Sequence, residues 1–111
     1  MTVNEMAQKI GLQSLSAHED RPVNGVFVSD MVSDVMAGAK SGNLWLTVQT
    51  HKSIVPAANL VDVAAVIITG GKSVPAETVE LASKFNIAVL SSDQPTFELV
   101  GKLYQLGLGG S

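Results

Sequence analysis

The sequence predicts an α/β fold: a mostly parallel sheet of roughly four or five strands with helices on its faces. Three observations carry that expectation. From residue 24 onward, short apolar runs alternate with amphipathic segments, the pattern of strand–helix–strand units. The strongest apolar run, residues 63–68, has no polar alternation, which suits a parallel strand buried on both faces. The breaks between runs carry the Gly, Pro, Ser, Thr and Asp residues that start and stop helices.

Taken in order, Thr2 caps a first helix and Glu5, three residues on, completes a capping box. Met6 and Ile10 fall one turn apart, and Gly11 stops the helix. Residues 12–15 read as a short strand and residues 18–22 as a loop ending in Pro22. Residues 23–28 form a second strand, after which Ser29 or Asp30 caps a helix whose apolar face is Met31, Val32, Val35 and Met36. Residues 44–48 make a strand, 49–53 a polar loop, and 54–60 one or two helical turns with Pro56 near the start. The strand at 63–68 is broken by Thr69-Gly70-Gly71-Lys72-Ser73. Pro75 then opens a helix with Glu77 and Glu80 near its positive end and Val79, Leu81 and Ala82 facing inward. Asn86 caps that helix, residues 87–90 form the last strand, and Ser91-Ser92-Asp93 is a loop. A final helix starts at Pro95 or Thr96 and is lined by Phe97, Val100, Leu103, Tyr104 and Leu106. Gly107, Gly109 and Gly110 end the order.

Length and composition narrow the function. With 111 residues the chain reads as one domain spanning 1–111, large enough to bury a core without staples. It has no cysteine, so disulfides and thiolate metal sites are excluded, and a reducing cytoplasmic setting suits it. Two histidines, His18 and His51, are too few for a histidine-built metal site. The formal charge is −3 and the seven basic residues are scattered singly, so no phosphate-matching basic face for nucleic acid is visible. No apolar stretch approaches the ~18 residues of a membrane span. Mean hydropathy is +0.30, and the apolar surplus beyond the buried strands points to a subunit interface.

In an open α/β sheet, ligands gather beyond the carboxyl ends of the strands. Four loops fall there, and they supply the candidate ligand-binding residues: Ser29 and Asp30; Gln49, Thr50 and His51; Thr69, Gly70, Gly71 and Lys72; and Ser91. Each loop leads into a helix whose first amides suit an anion. Gly71-Lys72-Ser73 resembles the end of a phosphate-binding P-loop, but the first glycine of that motif falls on Val66, inside a strand, so nucleotide hydrolysis is not expected. The flexible pair Gly70-Gly71 still allows backbone to approach a ligand or a partner closely. The alternative is a plain tight turn. His51 is a general base only if distant loops bring it Asp30 or Asp93 and a nucleophile. Otherwise it is a loop histidine bonded to backbone. Trp45 belongs in the core or at an interface, and Asp30 and Asp34 fall on one helix face.

The segments at residues 23–36 and 44–51, and Ile67-Ile68-Thr69-Gly70-Gly71, resemble small DRTGG domains in order and spacing over roughly residues 3–108. The Thr-Gly-Gly of the family falls on Thr69-Gly70-Gly71. The place of its Asp-Arg pair falls on Thr50-His51, since Asp20-Arg21 lies too far upstream. The resemblance implies a fold similar to the N-terminal domain of HPr kinase/phosphorylase, and a bacterial regulatory or dimerising module. It does not imply kinase activity, because the P-loop and the room for a catalytic domain are both missing. Stand-alone domains of this kind resemble proteins associated with hydrogenase and signalling genes. The expectation is therefore a non-catalytic sensor that forms a homodimer and binds a small anionic ligand such as a nucleotide, with no cofactor and no metal. Two alternatives stand beside it: a pure interaction subunit docking on a larger enzyme, and a small enzyme using His51.

Overall fold

The computed structural model describes residues 1–109. In chain order the elements are α1 (Val3–Ile10), β1 (Gln13–Ser14), β2 (Gly25–Val28), α2 (Val32–Gly38), β3 (Asn43–Thr47), α3 (Ile54–Val61), β4 (Ala65–Ile68), α4 (Ala76–Lys84), β5 (Val89–Ser91) and α5 (Thr96–Gln105). The five strands form one sheet in the order β1-β5-β4-β3-β2. β2, β3, β4 and β5 run parallel, and only β1 is antiparallel, pairing with β5.

The expected capping box is present. Thr2 Oγ1 accepts from the Glu5 amide and Glu5 Oε1 accepts from the Thr2 amide. Residues 1–3 are zipped against residues 21–23 by backbone bonds, which holds α1 to the sheet.

Because β2 to β5 are spatial neighbours in sequence order, every crossover steps the same way. Right-handed crossovers then place α2, α3 and α4 on one face. Strand periodicity divides the core accordingly. Trp45, Val66, Ile68 and Val89 point to the face covered by Val35 of α2, Ile54, Val55, Ala57 and Ala58 of α3, and Ala82 of α4. Leu44, Leu46, Ala65, Ile67 and Leu90 point to the other face, covered by Val3 and Met6 of α1 and Leu99 and Leu103 of α5.

Several expectations shift at this level. Ser29 and Asp30 do not cap α2. Its N-cap is Met31, with no side-chain cap bond, and Asp30 turns to β3 instead, so Asp30 and Asp34 do not share a helix face. Met31 and Met36 are exposed, and of the four apolar residues expected to face inward only Val35 is fully buried. α4 buries Thr78 beside Ala82, because the Thr78 hydroxyl reaches the Thr50 carbonyl at 2.8 Å. Its C-cap is Phe85; Asn86 follows in the left-handed conformation (φ 58°). Ser91 is the last residue of β5, opposite Ile68 and Gln13, rather than the start of a loop. In α5 the buried pair is Leu99 and Leu103, while Phe97 and Tyr104 face outward. Gly107 and Gly109 do not end the order: Leu108 packs on the core and the Gly109 carbonyl accepts from the Val26 amide at 3.0 Å. Gly110 lies outside the described residues.

Asp62 fastens the end of the molecule opposite the candidate loops. It accepts from the Ser41 hydroxyl and from Arg21 Nη1 at 3.0 Å, and Arg21 also donates to the Val63 carbonyl at 2.9 Å. The Ser41 hydroxyl, and then Arg21, hold the Asp62 carboxyl below its ordinary pKa, despite some opposing desolvation. The Asn4 amide does the same for Asp20, and Lys52 for Glu77. A depressed carboxylate stabilises the fold above its unfolded pKa, and that contribution fades as pH falls through the folded value. Stability is therefore expected to decline below about pH 4. Asp62→Asn should flatten that decline by less than about 1 kcal/mol, since the pair is solvent-screened. Urea denaturation of both proteins at pH 3, 4 and 7 checks this; parallel acid limbs would refute the linkage.

Candidate functional site

The four loops named from the sequence all leave the carboxyl edge of the parallel strands, but the structure treats them unequally. The two on the β2–β3 side are closed on themselves. Asp30 Oδ1 accepts from Thr47 Oγ1 at 2.9 Å and from the Val48 amide at 3.0 Å. Gln49 donates through Nε2 to the Asp30 carbonyl, and its amide donates to Thr47 Oγ1. Ser29 accepts from the Met31 amide through Oγ, and its carbonyl receives the Trp45 indole N–H at 2.8 Å. Ser29, Asp30 and Gln49 thus lock β2 to β3. Thr50 presents its carbonyl to Thr78 of α4.

His51 is exposed. Its Nδ1 accepts from the Ser53 amide at 3.1 Å, and no carboxylate or hydroxyl bonds to either ring nitrogen among the described residues. The distant groups that a base at His51 requires are not assembled around it, and the geometry matches a loop histidine bonded to backbone.

The β4–α4 and β5–α5 loops are different. They leave adjacent parallel strands and diverge, one to α4 on the face shared with α3, the other to α5 on the opposite face. Such a divergence is where open α/β sheets form a ligand crevice. Thr69 sits at its base, fully buried, its hydroxyl 2.7 Å from that of Thr96. Gly70 and Gly71 follow with φ of 78° and 68°. Their amides donate to the Gln94 and Ser92 carbonyls, each at 2.9 Å, tying the two loops together.

Glycine is required here for the left-handed backbone, not for close approach. A side chain at 70 would meet nothing within 4 Å, and one at 71 would meet Asp93 at an ordinary 3.6 Å. Lys72 and Ser73 stand exposed beyond the turn, and α4 starts at Pro75 without a side-chain cap. Gln94, joined to this turn through its carbonyl, is what the sequence reading missed: its Oε1 is buried with no hydrogen-bond partner. Ser91 lies in β5 just below.

Of the ten candidate residues, Thr69, Gly70, Gly71, Lys72 and Ser91 therefore gather at the divergence. Ser29, Asp30 and Gln49 serve the β2–β3 end, and Thr50 and His51 lie between. Gln94 and Thr96 join the first group. No sequence signal marked them, because what makes them neighbours of Thr69 is the choice of sheet face by α5.

Two hollows lie elsewhere, one between Lys52 and α4, the other between α3 and Phe85. One of about 380 Å³ is lined by Lys52, Glu77, Glu80, Leu81 and Lys84; the other, about 300 Å³, by Pro56, Asn59, Leu60 and Phe85. Neither contains a candidate residue. Lys52 and Glu77 form an ion pair of 2.7 Å at the first. Among the described residues no group of three His, Cys, Asp or Glu could hold a metal ion, and no helix is long and apolar enough to cross a membrane.

This is a small α/β domain with a glycine-turn corner at the divergence of its last two parallel strands. Residues 5–106 match the DRTGG domain, and the chain belongs to that family. No curated protein matches the sequence. Among solved structures it is similar to the CBS and DRTGG domains of the regulatory region of Clostridium perfringens pyrophosphatase, complexed with the activator diadenosine tetraphosphate. The identity is 20% and the TM-score 0.75, over 93% of this chain and 46% of that one. The chain thus spans less than half of that structure, and the likeness supports the fold: a mostly parallel five-stranded sheet flanked by helices. Thr69-Gly70-Gly71 carries the same three residue types as the end of the family name. Asp20-Arg21 lies at the opposite end of β4, where Arg21 serves Asp62 and Val63.

Proposed function

We propose that this DRTGG domain is a non-catalytic sensor, cytoplasmic and dimeric, that takes a small anionic ligand of the nucleotide class at the β4/β5 divergence. The observation that carries this reading is the corner itself. Gln94, whose carbonyl takes the Gly70 amide and whose Oε1 is buried and unpartnered, falls between the loop of Gly70 and Gly71 and Thr96, the hydroxyl partner of Thr69, and Lys72 is exposed. An exocyclic amine or a ribose hydroxyl would satisfy the orphan acceptor. Lys72 and the uncapped start of α4 suit phosphate. The regulatory character of the family, and the nucleotide activator held by the structurally similar regulatory region, support the same ligand class.

Thermal unfolding against adenosine mono-, di- and triphosphate, diadenosine tetraphosphate and inorganic phosphate tests it. A ligand bound only by the folded state adds about 2.7 kcal/mol at ~100 times its Kd. A saturable rise in Tm is expected for at least one nucleotide, reduced at least tenfold in apparent affinity by Gln94→Ala or Lys72→Ala. A flat response across the panel would overturn the sensor. It would favour the interaction subunit, a reading supported by the exposed apolar side chains Leu60, Phe85, Phe97 and Tyr104.

A further inference from the structure

We infer that two copies of the chain associate through the outward face of α5, paired antiparallel about a twofold axis near Gly101. The inference rests on the dimeric reading above and assigns its surface. Phe97, Gly101 and Tyr104 recur at i, i+4 and i+7 and so form one stripe, turned away from the buried Leu99 and Leu103. Phe97 is 85% exposed and Tyr104 73%, the two most exposed large apolar side chains among the described residues. Half-buried Val100 flanks the stripe on one side.

Nothing among the described residues requires a glycine at 101. A helix-interior glycine is disfavoured relative to alanine, its φ is not in the left-handed region, and a side chain there would meet nothing within 4 Å. Its absent side chain instead lets a second helix approach the backbone closely.

The charges identify that second helix as another α5. Glu98 and Lys102 lie together on the other flank, and neither makes an ion pair within the described residues. A twofold axis brings like flank to like flank with the helix directions reversed. Centred near Gly101, it sets each Glu98 opposite the partner copy's Lys102, and each Phe97 ring against the partner copy's Tyr104. The surface is thus complementary to itself in both shape and charge.

Sedimentation equilibrium of the full chain over a wide concentration range tests the assignment. The unmodified chain is expected to dimerise. Phe97→Glu should weaken association about thirty-fold with Tm, measured under monomeric conditions, unchanged. Glu98→Lys and Lys102→Glu should each weaken it, and the double exchange E98K/K102E should restore it, which no loss of folding could mimic. A monomer at every concentration overturns both the dimer and this surface. A dimer indifferent to Phe97→Glu and to both charge reversals overturns the surface alone and places the interface elsewhere.

Discussion

Truncating Trp45 to alanine is expected to cost about 3–5 kcal/mol, the range for a large aromatic removed from a core. Trp45 is fully buried in the middle of β3, opposite Phe27 on β2 and Val66 on β4. Its ring belongs to the cluster of Val35, Ile54, Val55 and Ala58, so it joins α2 and α3 to the sheet. Surrounding backbone is fixed by strand pairing on both sides and cannot collapse into the void. A domain of this length has roughly 5–15 kcal/mol in total, so the alanine variant should sit near the edge of folding. Trp45→Phe separates packing from hydrogen bonding. It keeps most of the buried ring but removes the Nε1 donor to the Ser29 carbonyl, and should cost about 1–2 kcal/mol. Urea denaturation followed by circular dichroism checks both, since the fluorophore itself is lost. A cost below about 1 kcal/mol for the alanine variant would mean that the α2–α3 layer is not anchored through this ring.

The alternation of strand and helix was legible because parallel strands must be apolar on both faces. Residues 44–48 and 63–68 could not have been exposed segments, and the polar breaks between them could not have been strands. Helix faces were read less well, for a reason visible in α5. The expected lining of Phe97, Val100, Leu103, Tyr104 and Leu106 includes three residues that do pack on the core, Val100, Leu103 and Leu106, but it omits the buried Leu99 and counts two aromatics that the helix leaves in solvent. Hydrophobicity marks a residue as fit for burial but not for burial within its own chain. Met31 and Met36 fail in the same way on α2, a short helix beside the edge strand β2, where little sheet remains to cover.

The candidate site was legible by residue type but not by arrangement. Loops after parallel strands can be found by counting along the chain. That the fourth loop carries its helix to the opposite face from the third is a tertiary fact, and it is this reversal that makes the corner of Thr69, Gln94 and Thr96. Gln94 looked like one more polar residue before a proline. Its significance is that its Oε1 is buried and unsatisfied, which composition cannot show. Ser29 and Asp30 illustrate the converse. A Ser-Asp pair before an apolar helix is a sound cap signal, yet two better donors on the neighbouring strand compete for Asp30.

That competition yields the second large effect: Asp30→Ala is expected to destabilise the chain by about 2–3 kcal/mol, in the range of hydrogen bonds to a charged group. The carboxylate receives the Thr47 hydroxyl and the Val48 amide. Thr47 is 1% exposed, so its hydroxyl would be left facing a gap. Asp30→Asn keeps an acceptor oxygen in the same place and should cost under about 1 kcal/mol. The contrast between the two variants, measured by chemical denaturation at neutral pH, distinguishes a structural carboxylate from a ligand group. A structural Asp30 gives a large loss for alanine, a small one for asparagine, and a nucleotide response unchanged in the asparagine variant. A ligand-binding Asp30 gives two variants of near-native stability that both lose the response. The first outcome is expected, because both donors that reach its Oδ1 come from the end of β3, and an oxygen so engaged holds the β2–α2 loop down on the sheet, while the corner of Thr69 and Gln94 lies two strands from β2, where the ends of β4 and β5 diverge.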